Sequence, residues 1–253
     1  MGVEVIELRK SLAILSPYPA AVIDDALLVA DLHLGMEEDL ELQGIHVPYN
    51  VSADVRGLVL EALARSNARR LIILGDLKHE LRSGLRVEYE EVEGLLRGAR
   101  ELGAEVALVR GNHDNFIAPI VNRLGGRVFQ DFARVGDCCL IHGHTDFRPD
   151  ENKCPCLVMG HEHPTVTIRD DMDIKHRFKA FLWGALGDSS VLVLPSPNPL
   201  AQGMPVNEVE PGDLLSPVLR RADVDSFEVY ALEPREAVMH LATVAVLRAL
   251  LAA

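Results

Sequence analysis

The sequence predicts an α/β protein in which helices cover a parallel sheet. Short apolar runs at residues 71–74 and 106–109 are rich in Ile, Leu and Val, which is typical of buried strands. Two longer stretches, from residue 52 and over 87–102, carry apolar residues on one helical face. Because these strands and helices alternate along the chain, the order is that of βαβ units.

The first half of the chain supplies most of this pattern. Residues 20–23 and 26–30 are predicted to form two strands joined by the turn Asp24-Asp25. Ser52 is expected to cap the first long helix, which leads into the strand at 71–74. Gly103 is placed to stop the second helix. The strand at 106–109 then completes the parallel series.

The second half is predicted to be strand-rich. Expected strands lie at residues 132–135, 138–141, 156–159, 166–168, 177–183, 191–194 and 227–232. The proline-rich stretch 195–205 is expected to form a loop. A largely apolar helix is predicted from Pro234 to the C-terminus as a packing layer. We expect one domain over residues 1–253, with this packing helix at about 234–253.

Composition limits the function classes. A chain of 253 residues with 48% hydrophobic content can bury a full core. The net charge of −13 argues against a broad basic surface for nucleic acid, although a local basic cleft stays open. No stretch resembles a signal peptide or a bilayer span, so we expect no membrane partner and a cytoplasmic protein. Four cysteines at 138, 139, 154 and 156 lack zinc-site spacing and are predicted to be core thiols.

Polar side chains follow several of the apolar runs at the point where each run ends. Because ligands bind at the carboxyl ends of strands in α/β sheets, we expect these side chains to converge at one edge. Seven of the ten histidines fall in these few short stretches. The residues concerned are Asp31, His33, Asp76, His79, Asn112, His113, His142, His144, His161 and His163.

Such a mixture of ligand types predicts a transition-metal centre. Imidazole nitrogens combined with carboxylate and amide oxygens suit Mn, Fe or Zn better than Ca or Mg. The set is too large for one ion, whereas two ions about 3.5–4 Å apart and bridged by a carboxylate would use it. We therefore expect two divalent transition-metal ions, with Mn first and Fe, Zn or Ni as alternatives.

The motifs DLH, GDxxH, GNHD, HGH and GHEH, in this order between Asp31 and His163, resemble the signature of the calcineurin-like metallophosphoesterases. The segments LVADLHLG and GDLKH are most similar to archaeal phosphoesterases related to the SbcD nuclease subunit. This resemblance implies a four-layer α/β/β/α sandwich of two mixed sheets, with the metals at the sheet edges.

The resemblance also implies a division of ligands in which Asp76 is the bridge. One ion would take Asp31, His33, Asp76 and His163, and the other would take Asp76, Asn112, His142 and His161. Spacing does not separate His142 from His144 as the ligand. We favour His142 because it directly ends its strand.

The expected chemistry is hydrolysis of a phosphoester by a hydroxide held between the two ions, because metal binding lowers the pKa of water. His113 is the natural proton donor to the leaving group, and Asp114 is expected to orient it and raise its pKa. His79 matches the position that contacts the phosphate in SbcD-like nucleases.

Three functions follow from this reading. The first is a two-metal phosphodiesterase, with DNA or RNA among its candidate substrates. The second keeps the chemistry but takes a small phosphoester or nucleotide. The third is a non-catalytic scaffold on the same fold, which the complete ligand set and the presence of His113 disfavour. The oligomeric state is left open by the sequence.

Overall fold

The computed structural model describes residues 3–79 and 86–252, which form two packed sheets and five α-helices. The strands are β1 (Glu4–Arg9), β2 (Leu12–Ser16), β3 (Ala21–Ile23), β4 (Ala26–Val29), β5 (Arg70–Leu74), β6 (Glu105–Val109), β7 (Arg127–Phe129), β8 (Ala133–Val135), β9 (Cys138–Ile141), β10 (Cys156–Met159), β11 (Pro164–Arg169), β12 (Lys175–Leu186), β13 (Ser189–Val193), β14 (Met204–Pro205), β15 (Glu228–Glu233) and β16 (Ala237–Thr243). The helices are α1 (Met36–Leu42), α2 (Val51–Ser66), α3 (Arg86–Glu101), α4 (Ala118–Arg123) and α5 (Val244–Ala252).

The first sheet has the order β1-β2-β3-β4-β5-β6-β7. Strands β4 to β7 run parallel, and β1 to β4 are antiparallel. Side chains on one face of β4 and β5, such as Leu27 and Leu71, pack with the apolar faces of α2 and α3. Alternate residues, such as Leu28 and Ile72, face the second sheet. Burial on both faces explains why these strands are almost entirely apolar.

The second sheet has nine strands and is also mixed. Its main path is β14-β11-β12-β13-β10-β9-β8, and β15 pairs with both β12 and β16. One face packs against the first sheet through residues such as Leu140 and Val158. The other face is covered by α5 and the segment before β15, through residues such as Val244 and Phe227. The layers are therefore helix, sheet, sheet and helix, and the predicted four-layer sandwich is confirmed.

The C-terminal segment differs from its prediction as one helix over 234–253. Residues 237–243 form β16, which pairs antiparallel with β15, and only Val244–Ala252 is helical. A short apolar run does not distinguish a strand from a helix by periodicity alone. Here an available edge on β15 decides the outcome in favour of a strand.

Other elements lie outside the sequence predictions. They are strands β1, β2, β7 and β14 and helices α1 and α4, and β14 falls within the stretch 195–205 that is expected to form a loop. The cap of α2 is Asn50 rather than Ser52, because the Asn50 side chain accepts the backbone N–H of Ala53 at 2.8 Å. The hydroxyl of Ser52 instead donates to Glu37 and accepts the backbone N–H of Gly35.

The prediction that the four cysteines are core thiols is wrong. Cys138 is paired with Cys156, and Cys139 with Cys154, in two disulfides. The physical reason is strand register, because Cys138 and Cys156 lie directly opposite each other on the neighbouring strands β9 and β10. Disulfides are uncommon in reducing compartments, so they lend no support to the predicted cytoplasmic location.

Within the described ranges, no helix has the length and apolar character needed to cross a bilayer.

Candidate metal centre

The turns after β4 and β5 bring the first ligand candidates together. The parallel pairing of the two strands continues past their ends, because the backbone N–H groups of Asp31 and His33 donate to the carbonyls of Gly75 and Asp76 at 3.0 and 2.9 Å. Asp31, His33 and Asp76 all adopt left-handed backbone conformations, with φ of 57°, 45° and 49°. These conformations are unfavourable for residues with side chains and turn the three side chains off the sheet edge.

The second sheet contributes histidines from the turns after β9 and β10. His161 and His163 are also left-handed, with φ of 71° and 46°. The backbone N–H of His161 donates to the Asp31 carboxylate at 2.9 Å, which joins the edges of the two sheets. His142 directly follows β9 and is buried. The predicted convergence at the sheet edges is therefore present in the structure.

One candidate ligand cluster contains Asp31, His33, Asp76 and His163. One ligand atom from each residue can be chosen so that all four atoms lie within 4.8 Å of one another. The Nε2 atoms of His33 and His163 are 3.2 Å apart, and His163 Nε2 lies 3.3 Å from Asp31 Oδ1. Four donors at such distances could surround a single cation.

A second cluster contains Asp76, His142 and His161, so the two clusters share Asp76. His142 Nε2 lies 3.3 Å from Asp76 Oδ2 and 3.0 Å from Asn112 Oδ1. The other ring nitrogen of His142 is 2.9 Å from the carbonyl of Leu74, to which it donates when protonated. That hydrogen bond leaves Nε2 as the metal-facing atom.

Close packing fixes the His142 ring. A side chain at Gly75, which has a φ of 81°, would meet that ring, so glycine is required at this turn. His144, the alternative to His142, lies outside the candidate clusters found among the described residues. Its ring centroid is 5.1 Å from that of His142.

Mutual electrostatics and burial shift the pKa values of three histidines in the centre. Burial alone would lower the pKa of His142, but the hydrogen bond and charge of Asp76 outweigh burial and raise it to about 9. Burial and the neighbouring His163 lower the pKa of His33 to about 3. Burial and His142 likewise lower the pKa of His161 to about 4. Of these three histidines, only His142 has a raised pKa that favours its protonated form at neutral pH.

The carboxylates remain ionised in this environment. Burial alone would raise the pKa of Asp76, but the hydrogen bond and charge of His142 lower it below its usual range. Burial also works against ionisation of Asp31, and His163 and His142 reverse that effect and lower its pKa. Two ionised, buried acids surrounded by imidazoles provide the negative charge that a divalent cation requires.

An unsatisfied atom supports the fit of a cation to this site. Asp31 Oδ1 is buried and has no hydrogen-bond partner, which is unusual for a carboxylate oxygen. The other oxygen, Oδ2, accepts the His161 backbone N–H. A divalent ion between Asp31, His33 and His163 would satisfy the orphaned oxygen, so the residues fit the metal that the sequence predicts.

His33, His79 and His113 form a third group at the rim of the centre. The His113 backbone N–H donates to Asp76 Oδ1 at 2.9 Å, and its ring Nδ1 contacts the His79 carbonyl. The rings of His79 and His113 are stacked with centroids 5.5 Å apart. His79 is also 3.6 Å from Asp39 of α1. The His113 ring is thus fixed from Nδ1, which leaves Nε2 as the atom able to exchange a proton with a substrate.

The expectation that Asp114 orients His113 is wrong. The Asp114 carboxylate is buried and accepts the backbone N–H groups of Asp76, Leu77 and Gly111 at 2.8 to 2.9 Å. Burial and the negative charge of Asp76 raise the Asp114 pKa to about 6. The His79 carbonyl, not Asp114, holds the His113 ring. Asp114 instead braces the two turns that carry Asp76 and Asn112.

Two positioning residues, Ser196 and Asn198, escaped the sequence analysis. The Ser196 hydroxyl donates to the Asp31 carbonyl at 2.7 Å. The Asn198 amide donates to the carbonyls of Leu32 and His33 at 3.1 and 3.0 Å. Both side chains are fully buried, and they hold the left-handed turn that carries Asp31 and His33. The only sequence signal was the proline spacing of the predicted loop 195–205.

The turn carrying His161 and His163 has an equivalent brace. The Glu162 carboxylate accepts the backbone N–H groups of Leu215 and Ser216, each at 2.9 Å. The Ser216 hydroxyl donates to the Gly143 carbonyl at 2.7 Å, next to His142. One buried carboxylate and one hydroxyl therefore tie both histidine-bearing turns to the segment that precedes β15.

Comparisons with known proteins agree with this geometry. Residues 26–185 match the calcineurin-like phosphoesterase family. The crystal structure of nuclease MPE from Pseudomonas putida is similar over 95% of this chain and 100% of that chain, with a TM-score of 0.67 and 23% identity. That similarity supports the fold.

Yfce, a phosphoesterase from E. coli, aligns over 86% of this chain and 98% of its own, with 20% identity and a TM-score of 0.41, too low to add an argument. Among curated protein sequences, no significant match is found. The family match includes every ligand candidate and spans more than half of the chain, so the protein belongs to the calcineurin-like phosphoesterases and is a metal-dependent phosphoesterase.

Proposed function

We propose that the protein hydrolyses phosphodiesters with two divalent metal ions. Asp31, His33, Asp76 and His163 would hold one ion. Asp76, Asn112, His142 and His161 would hold the other. The observation that carries the proposal is the pair of candidate clusters that share Asp76, together with the buried Asp31 Oδ1 atom, which has no hydrogen-bond partner.

We propose Mn as the resident metal, with Fe, Zn or Ni as alternatives. The ligand set combines imidazole nitrogens with carboxylate and amide oxygens, which suits these ions better than Ca or Mg. When bound, the two ions would supply Lewis acidity, lowering the pKa of water and neutralising phosphate charge. Since Asp31 and Asp76 are the only acids among the seven ligands, the loaded centre would be net positive and would attract an anionic substrate despite the overall charge of −13.

His113 would protonate the leaving group. Its backbone N–H is anchored on Asp76 and its Nδ1 on the His79 carbonyl, so the ring has little rotational freedom. Its ring centroid is 5.0 Å from that of His33, which puts the His113 ring beside the first cluster. His79 stacks on this ring at the same rim, where it could contact a substrate phosphate. General-acid assistance of this kind contributes typically about 10²- to 10⁴-fold to a rate.

Phosphodiesters, including those of DNA or RNA, are the proposed substrates. The SbcD resemblance of the motifs favours a nuclease, and the structurally similar P. putida protein is described as a nuclease. The alternative is a small-molecule or nucleotide phosphatase, which the acidic composition favours because it provides no broad attraction for a polyanion.

The test is a parallel assay of the Mn-reconstituted protein on an aryl phosphodiester, an aryl phosphomonoester, and single- and double-stranded DNA and RNA. We expect turnover of the diester and of at least one nucleic acid, abolished by chelator and restored by Mn. The matched control is Asp76→Asn, which should be inactive on every substrate. Turnover of the monoester alone would favour the phosphatase, and no turnover with bound metal would favour the scaffold.

A further inference from the structure

A polar cavity of about 320 Å³ opens directly beside the metal centre. It lies where the carboxyl ends of β6 and β9 meet, so each sheet contributes one wall. The cavity shares Asn112 with the proposed ligand set, and the Nδ1 atom of His144 in its wall is buried without a hydrogen-bond partner. The residues that line it are Arg110, Gly111, Asn112, Asn115, Gln130, Asp131, His144 and Thr145.

Arg110 gives this cavity its charge. The guanidinium donates to Gln130 Oε1 at 3.1 Å and to Asn115 Oδ1 at 2.7 Å, which are both neutral amide oxygens. Across residues 3–79 and 86–252, it forms no ion pair with a carboxylate. Arg56 and Arg70, by contrast, are paired with Glu91 and Asp25. Arg110 is therefore an oriented and unneutralised cation in a protein of net charge −13.

We infer that this cavity receives a second phosphate of the substrate, next to the phosphate that is hydrolysed, and that Arg110 binds it. The inference rests on the proposed function. Two amides hold the guanidinium in one orientation, so its remaining N–H donors can bind phosphate oxygens with little loss of side-chain freedom. The one acid on the lining, Asp131, is exposed, where solvent screens its charge. The substrate class is then a nucleotide chain rather than an isolated diester.

The test compares two dinucleotides, one with only its internal phosphodiester and one that also carries a terminal phosphate at the 5′ or the 3′ end. The readout is the ratio of kcat/KM for the phosphorylated substrate to kcat/KM for the unphosphorylated one, measured with the Mn-reconstituted full chain. We expect the wild-type ratio to be about 10 or more for one of the two ends, because the terminal phosphate adds a charge-assisted contact with Arg110.

Two substitutions probe the cation. Arg110→Gln removes the charge, and Gln130→Glu leaves the guanidinium but pairs it with a carboxylate. Both should reduce the ratio to about 1. Arg97→Gln on the exposed face of α3 removes the same charge far from the cavity and should keep the wild-type ratio. Because the readout is a ratio, a general loss of activity in a variant does not affect it.

The outcomes separate this inference from the proposed function. If the wild type cleaves both dinucleotides equally, or if Arg110→Gln keeps the wild-type ratio, the inference is overturned and the phosphodiesterase proposal stands. If the metal-loaded protein cleaves neither the dinucleotides nor an aryl phosphodiester, the proposed function is overturned and the inference falls with it.

Discussion

The two sheets supply the proposed metal centre with different candidate ligands. The first sheet contributes both carboxylates and the amide, from Asp31, Asp76 and Asn112, together with His33. The second sheet contributes imidazoles only, from His142, His161 and His163. A carboxylate has two oxygens and can serve two ions, whereas an imidazole offers one metal-facing nitrogen once the other is hydrogen-bonded. The first sheet therefore couples the two candidate sites, and the second sheet completes each of them separately.

The two edges also differ in how they are held. On the first sheet, neutral groups from Ser196 and Asn198 hold the turn that carries Asp31 and His33. On the second sheet, the buried carboxylate of Glu162 holds the turn of His161 and His163 by accepting hydrogen bonds from two backbone N–H groups. Burial raises the Glu162 pKa, although these N–H groups oppose that effect. The neutral braces add no charge beside Asp31, whereas the turns of Asp76 and Asn112 on the same sheet are held by the buried carboxylate of Asp114.

The largest expected effect comes from removing the shared carboxylate. Asp76→Asn should reduce metal binding at both sites, because Asp76 belongs to both clusters. His163→Gln should empty only the first site, because His163 belongs to one cluster. Metal analysis after reconstitution and dialysis measures the difference. Turnover of Asp76→Asn should fall by about a thousandfold or more, since metal stabilisation of the transition state is worth several kcal/mol.

Retention of one full metal equivalent by Asp76→Asn would show that the sites are not coupled through this residue. Loss of both metals from His163→Gln would instead show that the second sheet couples the two sites as well. Either result would contradict the inference that the first sheet couples the two sites and the second sheet completes each of them separately.

The next effect concerns His113, a first-sheet residue outside the proposed ligand set. His113→Ala should keep its metal content but lose about 10²- to 10⁴-fold in kcat on alkyl phosphodiesters. On a p-nitrophenyl diester, whose leaving group needs no proton, the loss should be much smaller. The comparison of leaving groups is the measurement, with metal content determined on the same samples. An equal loss on both substrates would remove His113 from the acid role.

The ligand candidates were predictable because each follows a local pattern. An apolar run that ends in DLH, GD or GHEH predicts both a strand and the ligand candidates at the end of that strand. The parallel order of the strands then implies a common edge. His142 could be favoured over His144 for the same reason, since the residue directly after a buried strand is held at the sheet edge.

The braces could not be predicted, because they depend on contacts between distant parts of the chain. Ser196 lies 165 residues from Asp31, and the Ser216 hydroxyl meets a carbonyl 73 residues away. The role expected for Asp114 is wrong because its adjacency to His113 in the sequence does not determine the direction of its side chain. The disulfides were missed for a related reason: the register between β9 and β10, which sets Cys138 opposite Cys156, is not visible in the cysteine spacing.

A smaller effect is expected from removing the side chain of Asn198, which helps to hold the turn that carries Asp31 and His33. Asn198→Ala should weaken metal affinity by about 10- to 100-fold, because residues that orient ligands typically matter to that extent. The matched control is Asn207→Ala. Asn207 is also a buried asparagine that bonds to backbone groups, but these belong to Thr167 of β11 and Leu247 of α5 and not to a ligand-bearing turn.

Both alanine variants should lose about 1–3 kcal/mol of unfolding free energy, since each leaves buried backbone groups unsatisfied. Calorimetric metal titration distinguishes them. If the two variants lose the same metal affinity, Asn198 contributes only to general stability and the brace has no specific role.

The smallest expected effect concerns Lys179, which bonds to the segment that carries Asn198. Lys179 of β12 donates from Nζ to the carbonyls of Asn198 and Ala201, and burial lowers its pKa from 10.5 to about 8. Between these two values the folded protein binds fewer protons than the unfolded chain, so raising the pH through this window should stabilise the wild type.

Relative to Lys179→Met, which cannot titrate, the wild type should gain about 1–2 kcal/mol between pH 8 and pH 10.5. The gain should be smaller than the free energy that corresponds to the whole pKa shift. Lys179 lines a cavity with Asp54 and Arg235, where solvent reduces the cost of its charge. Urea unfolding at a series of pH values measures the difference. If the difference in unfolding free energy does not change over this range, Lys179 keeps an ordinary pKa. The segment that carries Asn198 would then be supported by a well-solvated ammonium group and not by a buried one.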